Sequence, residues 1–257
     1  MTSKIKSIKK NFLEWNGNVL MASFKKIDLN IILIVILDIL FYLMSSFIFI
    51  FWLQKMQEKL IAFNLPNDMT VLSSEQVQQL LSTAKTFYYL LVFSFILVVI
   101  IIIFLASILK GIIWAKTTKA KISFALISKF LGLNLIWMGF WFGLIFLILI
   151  LVQPQSVLLF TVAAVILGLF FTNTLYTIFM HRQKIKSIFE AIKLNAAKVH
   201  LFLLPYTVIL LIFYLIIRLS NMLVFKYSGA VFSVLLIAYA AVVRYYTSEL
   251  VLKIQKL

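Results

Sequence analysis

The chain has no cysteine, three prolines, seven glycines and only eight acidic residues against 24 lysines and arginines in 257. Without a thiol it can form no disulfide, thiolate metal site, thiol nucleophile or palmitoyl anchor. Charged residues of both signs make up 12% of the sequence, about half the share of a soluble domain. Catalytic signatures are missing as well. There are no paired carboxylates, no His-Glu-x-x-His, no Gly-x-Ser-x-Gly and no P-loop. His181 and His200 lie too far apart in sequence to resemble a clustered metal site. The expectation is a protein that is not an enzyme and holds no cofactor or metal.

What is present is apolar surface, at 64% of residues. Six runs approach the roughly 20 residues that a helix needs to cross a bilayer's hydrocarbon core. They are Leu29 to Leu53, Phe87 to Leu109, Leu133 to Val152, Val157 to Met180, Leu201 to Phe225 and Ala230 to Tyr246. Lipid offers no partners to free backbone groups, so runs of this length read as helices. The first is too long for a signal-peptide core and lacks a small-residue cleavage pattern after it, so it reads as a retained span. Residues 1–257 thus read as one all-α integral membrane domain with six transmembrane helices.

A net charge of +16 in a soluble chain would point to nucleic acid. Its distribution here argues otherwise. Nineteen of the 24 basic residues fall before the first span, between Lys110 and Lys129, between Arg182 and Lys198, or from Arg244 onward. Only Lys55, Lys59, Lys85, Arg218 and Lys226 fall on the opposite side. The positive-inside rule then places both termini in the cytoplasm of a multi-pass cell-membrane protein. Anionic lipid on that face, and no nucleic acid, is the partner that the excess charge implies.

Three basic segments, residues 1–28, 111–131 and 182–200, precede the first, third and fifth spans. In the first, Ile5, Ile8, Phe12, Trp15 and Val19 recur at helical spacing, with lysines on other faces. In the third, Ile185, Ile188, Phe189, Ile192, Ala196 and Val199 form an apolar stripe, and Lys186, Glu190 and Lys193 fall one turn apart. The pentapeptide Lys-Ile-Lys-Ser-Ile occurs at both residues 4–8 and residues 184–188. Asn30, Asn134 and Asn195 close a second, looser echo. The implied unit is an interfacial helix followed by a helical hairpin, repeated three times.

Residues 54–85 extend the first hairpin outward. Met56, Leu60 and Phe63 continue one apolar stripe, and Val77 and Leu81 begin another. Pro66 with Asn67 and Asp68 supplies turn chemistry, and Ser73 with Gln76 forms a capping box. The two stripes are expected to bury against each other or to dock a partner membrane protein or a second copy of the chain.

Asp38 is the only acidic residue deep in a span, with Tyr42 and Ser45 one and two turns along the same face. An intramembrane carboxylate must be protonated, wetted or paired. Arg244 and Asn173 fall at depths that could reach it, whereas Arg218 starts in the outer half and can snorkel away. Gly132, Gly139 and Gly143 in span three, and Ala164, Gly168 and Thr172 in span four, predict close helix packing. Trp15, Trp52, Trp114, Trp137 and Trp141 mostly fall near span boundaries, as an aromatic belt would. The functional expectation is a membrane scaffold or accessory subunit. The alternative is the permease half of an ABC-type transporter for apolar or lipid-like cargo, driven by a separate ATPase.

Overall fold

The computed structural model describes residues 12–62, 73–222 and 228–257, and within them the chain is all-helical. The eight helices in order are α1 (Phe12–Lys26), α2 (Asn30–Ile61), α3 (Ser74–Thr118), α4 (Phe124–Leu151), α5 (Pro154–Arg182), α6 (Ser187–Ala197), α7 (Val199–Asn221) and α8 (Ser228–Gln255). Six of them, α2 to α5 with α7 and α8, are long and apolar enough to cross a membrane. The protein is therefore a polytopic membrane protein.

Local chemistry explains where these helices begin and end. Ser73 and Gln76 exchange capping bonds, with the Gln76 amide donating to Ser73 Oγ at 3.3 Å and the Ser73 amide to Gln76 Oε1 at 2.9 Å. Ser123 caps α4 by accepting from the Leu126 amide at 3.2 Å. Pro154 opens α5 at a position where a missing amide proton costs nothing. Lys119 (φ 57°) and Gln183 (φ 52°) stop α3 and α5 in the left-handed conformation, without the glycine that such an end usually carries.

The expected middle interfacial helix over residues 111–131 is not there. Helix α3 runs unbroken through Thr118, a short connection follows, and α4 starts at Phe124. Apolar Gly111 to Ala115 simply prolongs the spanning helix, so the basic residues there decorate two helix ends and the link between them. The other two basic segments contain separate helices, α1 and α6.

Contacts divide the chain into two compact units. One comprises the residues up to Ile39 together with Ser107–Leu257, and the other is Leu40–Ala106. In the larger unit α5 packs against α4, α6 and α8, while α8 also holds α1 and α7. Its core gathers Trp114, Phe130, Trp137, Leu175, Phe179, Phe202, Leu250 and Ile254. These belong to the helix ends nearest the basic segments. Residues 174–180 of α5 are buried without a break, so that turn is enclosed on every face. By contrast α4 buries nothing beyond Trp137, and α7 nothing beyond Pro205 among the described residues.

In the smaller unit, Trp52 Nε1 donates to Ser94 Oγ at 3.0 Å, and the Trp52 ring tilts against Phe95. The parts of α2 and α3 within this unit are therefore paired side by side. Leu60 and Leu81 are 54% and 63% exposed, so they do not bury against each other. Phe63 lies outside the described residues.

Candidate functional site

The Asp38 carboxylate is fully buried and lies between two cations from different helices. Lys110 Nζ of α3 donates to Oδ1 at 2.5 Å, and Arg244 Nη1 of α8 approaches Oδ2 at 2.6 Å. The side chains of Lys110 and Arg244 are 16% and 9% exposed. Ile34, Ile113, Ala241 and Tyr245 form a small apolar cluster on the same three helices. One carboxylate thereby ties α2, α3 and α8 together.

Depth-matching along antiparallel helices puts Arg244 within reach of Asp38. It gives no reason to choose Lys110, which from sequence alone belongs with the basic connecting segment. Its signal is spacing: Lys110 stands six residues before Lys116, nearly two turns inside the cluster that it was grouped with. The contact also revises the depth of Asp38. The first turns of α2 belong to the compact body formed with the ends of α3 and α8, so Asp38 sits at the level where the charge-free part of α3 stops.

The other intramembrane polar candidates do not join this centre. Asn173 lies beside the Tyr206 phenol, with Tyr246 nearby. Arg218 turns back along its own helix, its Nε donating to Tyr214 Oη at 2.7 Å. Tyr42 stacks edge-on with its neighbour Phe41, and the buried Ser45 hydroxyl has no hydrogen bond among the described residues. Both belong to the smaller unit.

The small-residue stripe divides in two. A Cβ on Gly132, Gly139 or Gly143 would meet nothing within 4 Å, so these glycines do not form the close seam expected of them. The contact between α4 and α5 is made by large side chains instead. Trp141 covers Gly168 at 3.4 Å from where a Cβ would stand, and Trp137 Nε1 donates to Thr172 Oγ1 at 2.8 Å. Ala164 is buried. The tightest approach to a glycine among the described residues is at Gly111, where a Cβ would come within 2.9 Å of Ile127 Cδ1 and 3.1 Å of Phe130 Cδ1, so these side chains would have to shift. Trp114 and Trp137 are core residues, which corrects the belt expected of the tryptophans.

Two asparagines of the sequence echo share a structural role. Asn134 accepts from Tyr176 Oη at 2.6 Å and donates to Ser107 Oγ at 3.0 Å. Asn195 accepts from Thr174 Oγ1 at 2.8 Å. Both thus hold the enclosed turn of α5. Asn30 does not, since its amide is bound by Asp28 Oδ1 at 3.1 Å.

Near the start of α2, Asp28, Asn30, Ala115, Lys116, Lys119, Ala120 and Ile122 line a recess of about 400 Å³. Partial desolvation acts to raise the Asp28 pKa. Hydrogen bonds from Asn30, the Lys119 charge and the Tyr245 hydroxyl outweigh it and hold the carboxyl below its ordinary value of 3.8. Nearby, Lys26 of α1 pairs with Glu249 of α8. Glu190 pairs with Arg182 at 2.5 Å, in place of the lysines one turn away. No group of three or more metal-ligating side chains occurs among the described residues.

Comparison with known protein families, curated proteins and solved structures finds no match.

Proposed function

We propose that the chain is a non-enzymatic membrane scaffold or accessory subunit that binds partner proteins. The observation that carries this reading is the closure of the buried carboxylate: Asp38 is matched to two cations of the same body, as a helix clamp requires. Breaking such a buried pair costs about 3–5 kcal/mol, so the clamp is well suited to fixing α2, α3 and α8 as a rigid frame.

The docking element in this reading is the hairpin formed by the outer ends of α2 and α3. At 1.5 Å per residue the 45 residues of α3 extend about 68 Å, more than twice the roughly 30 Å of hydrocarbon. Leu60, one turn beyond Met56 on the first stripe, and Val77 and Leu81 on the second are exposed there. Placement in the cell membrane, with the basic ends of the helices cytoplasmic, rests on the Lys/Arg asymmetry. Contact of α1 and α6 with anionic lipid is supported by exposed Phe24, Phe189 and Ile192 beside lysines.

Gentle purification of the tagged protein should bring down a companion protein, or a second copy, in fixed ratio. Leu60→Glu and Val77→Glu should abolish that association while leaving a monodisperse protein. Retention by both variants removes the hairpin from the proposal. The permease reading is favoured by one feature, the unburied outer halves of α4 and α7, which would suit an apolar cargo. ATPase-dependent movement of a lipid in reconstituted vesicles would establish it over the scaffold.

A further inference from the structure

The recess at the start of α2 presents charges of both signs to a cavity of about 400 Å³, a volume within the range of ligand pockets. Asp28 stands in its wall with 38% of its side chain exposed, and its lowered pKa keeps the carboxyl ionised at neutral pH. A carboxylate offers about four acceptor positions. The Asn30 amide, the Asn30 side chain and the Tyr245 hydroxyl account for three of them. The Lys119 ammonium lies 3.8 Å from Oδ2, beyond hydrogen-bond range, so an acceptor position faces the recess still open. Lys116, three residues before Lys119, lines the same cavity and has no ion pair or hydrogen bond among the described residues. Ala115, Ala120 and Ile122 make the rest of the wall apolar.

Asp28 immediately precedes the apolar run that begins at Leu29, and Lys116 is the first charge after apolar Gly111 to Ala115. Two spanning helices therefore pass from hydrocarbon to water at this recess, at the depth of lipid headgroups. Leu29 and Phe124, next to the lining residues in sequence, are 84% and 89% exposed, which suits immersion in that layer. We infer that the recess binds the headgroup of an aminophospholipid, with its primary ammonium on Asp28 and its phosphate on Lys116 and Lys119. Ethanolamine holds these two charges only two carbons apart, and Asp28 and Lys119 offer the opposite charges at comparably close range. A choline headgroup has no N–H to donate to Asp28. A glycerol headgroup brings an anion and no cation, so it leaves Asp28 unmatched. This inference rests on the membrane reading and is independent of the hairpin's role in the proposed scaffold.

The test is native mass spectrometry of the whole protein released from nanodiscs with equal parts of phosphatidylethanolamine, phosphatidylcholine and phosphatidylglycerol. The wild type should retain one phosphatidylethanolamine per chain, about tenfold enriched over phosphatidylcholine. Asp28→Asn should erase that preference. Lys116→Met should lower retention, and Lys116→Arg should keep it. Tyr245→Phe separates binding from bracing, because it removes a contact to Asp28 and leaves the carboxylate, so the preference should survive. A purely structural Asp28 predicts the same ethanolamine-to-choline ratio in every variant. Soluble phosphoethanolamine carries the same two groups. If it raises the unfolding temperature in detergent in a Lys116-dependent way while no lipid is retained, the headgroup is overturned as the source. Equal retention of the ethanolamine and choline lipids by the wild type overturns the inference, as does an Asp28→Asn variant that keeps the preference. Neither result bears on hairpin docking, which co-purification reads separately.

Discussion

At the scale of single residues, the two kinds of glycine in this chain separate packing from patterning. Glycines at steps of seven and four suggest a seam, but Gly132, Gly139 and Gly143 face open space, and the steric demand falls on Gly111. Gly111→Val should therefore lower stability by about 1–3 kcal/mol. Gly139→Ala should be neutral or stabilising, since it adds helix propensity and meets no neighbour. Thermal unfolding in detergent checks both. Asp28 gives a second residue-level expectation. Its folded pKa lies below 3.8, so its contribution is complete at neutral pH and is lost as pH falls through that lowered value. The difference in unfolding temperature between the wild type and Asp28→Asn should shrink below about pH 4. It should also shrink with salt, since Asp28 and Lys119 are both exposed to screening.

Helical elements were legible wherever hydrophobicity alone decides them. Each of the six apolar runs is matched by a membrane-length helix among the described residues, and the Ser73–Gln76 capping box forms as its spacing implies. Ser73→Ala should release this cap at a cost of about 1 kcal/mol. The effect should appear locally, as faster hydrogen exchange at Gln76 and Val77, with the rest of the molecule unchanged. Less legible was the division between spanning and connecting helix at residues 111–118, because an apolar stretch ending in lysines fits either a surface helix or a prolonged span. Helix α6 shows the same ambiguity from the other side. Its buried residues are Ser187, Ala191 and Asn195, and Ile188 of the apolar stripe packs against the core, while Phe189 and Ile192 of that stripe are exposed. Sequence periodicity finds the stripe but cannot say whether protein or lipid covers it.

Across the whole molecule, the buried charges show how far one sequence can carry the argument. Asp38 stands out because acids inside spans are rare, and counting depth on antiparallel helices leads to Arg244. Lys110 stayed hidden because a lysine near a basic loop already has a sufficient explanation in membrane orientation. The same limit applies to Asn134, Tyr176 and Ser107, whose partners lie on three helices and share no local pattern. In lipid such bonds average only about 0.6 kcal/mol each, so their importance comes from their number and their common focus on α5.

We propose that the six membrane-length helices cross a bilayer and return the basic ends of the chain to one side. The absence of native cysteine makes that claim directly measurable. Single substitutions Ser82→Cys, Gln155→Cys, Lys121→Cys and Gln255→Cys would be exposed to a membrane-impermeant maleimide in intact cells and again after lysis. Labelling of the first two before lysis, and of the last two only after it, is the expected result. Labelling of Lys121→Cys or Gln255→Cys in intact cells would contradict the account.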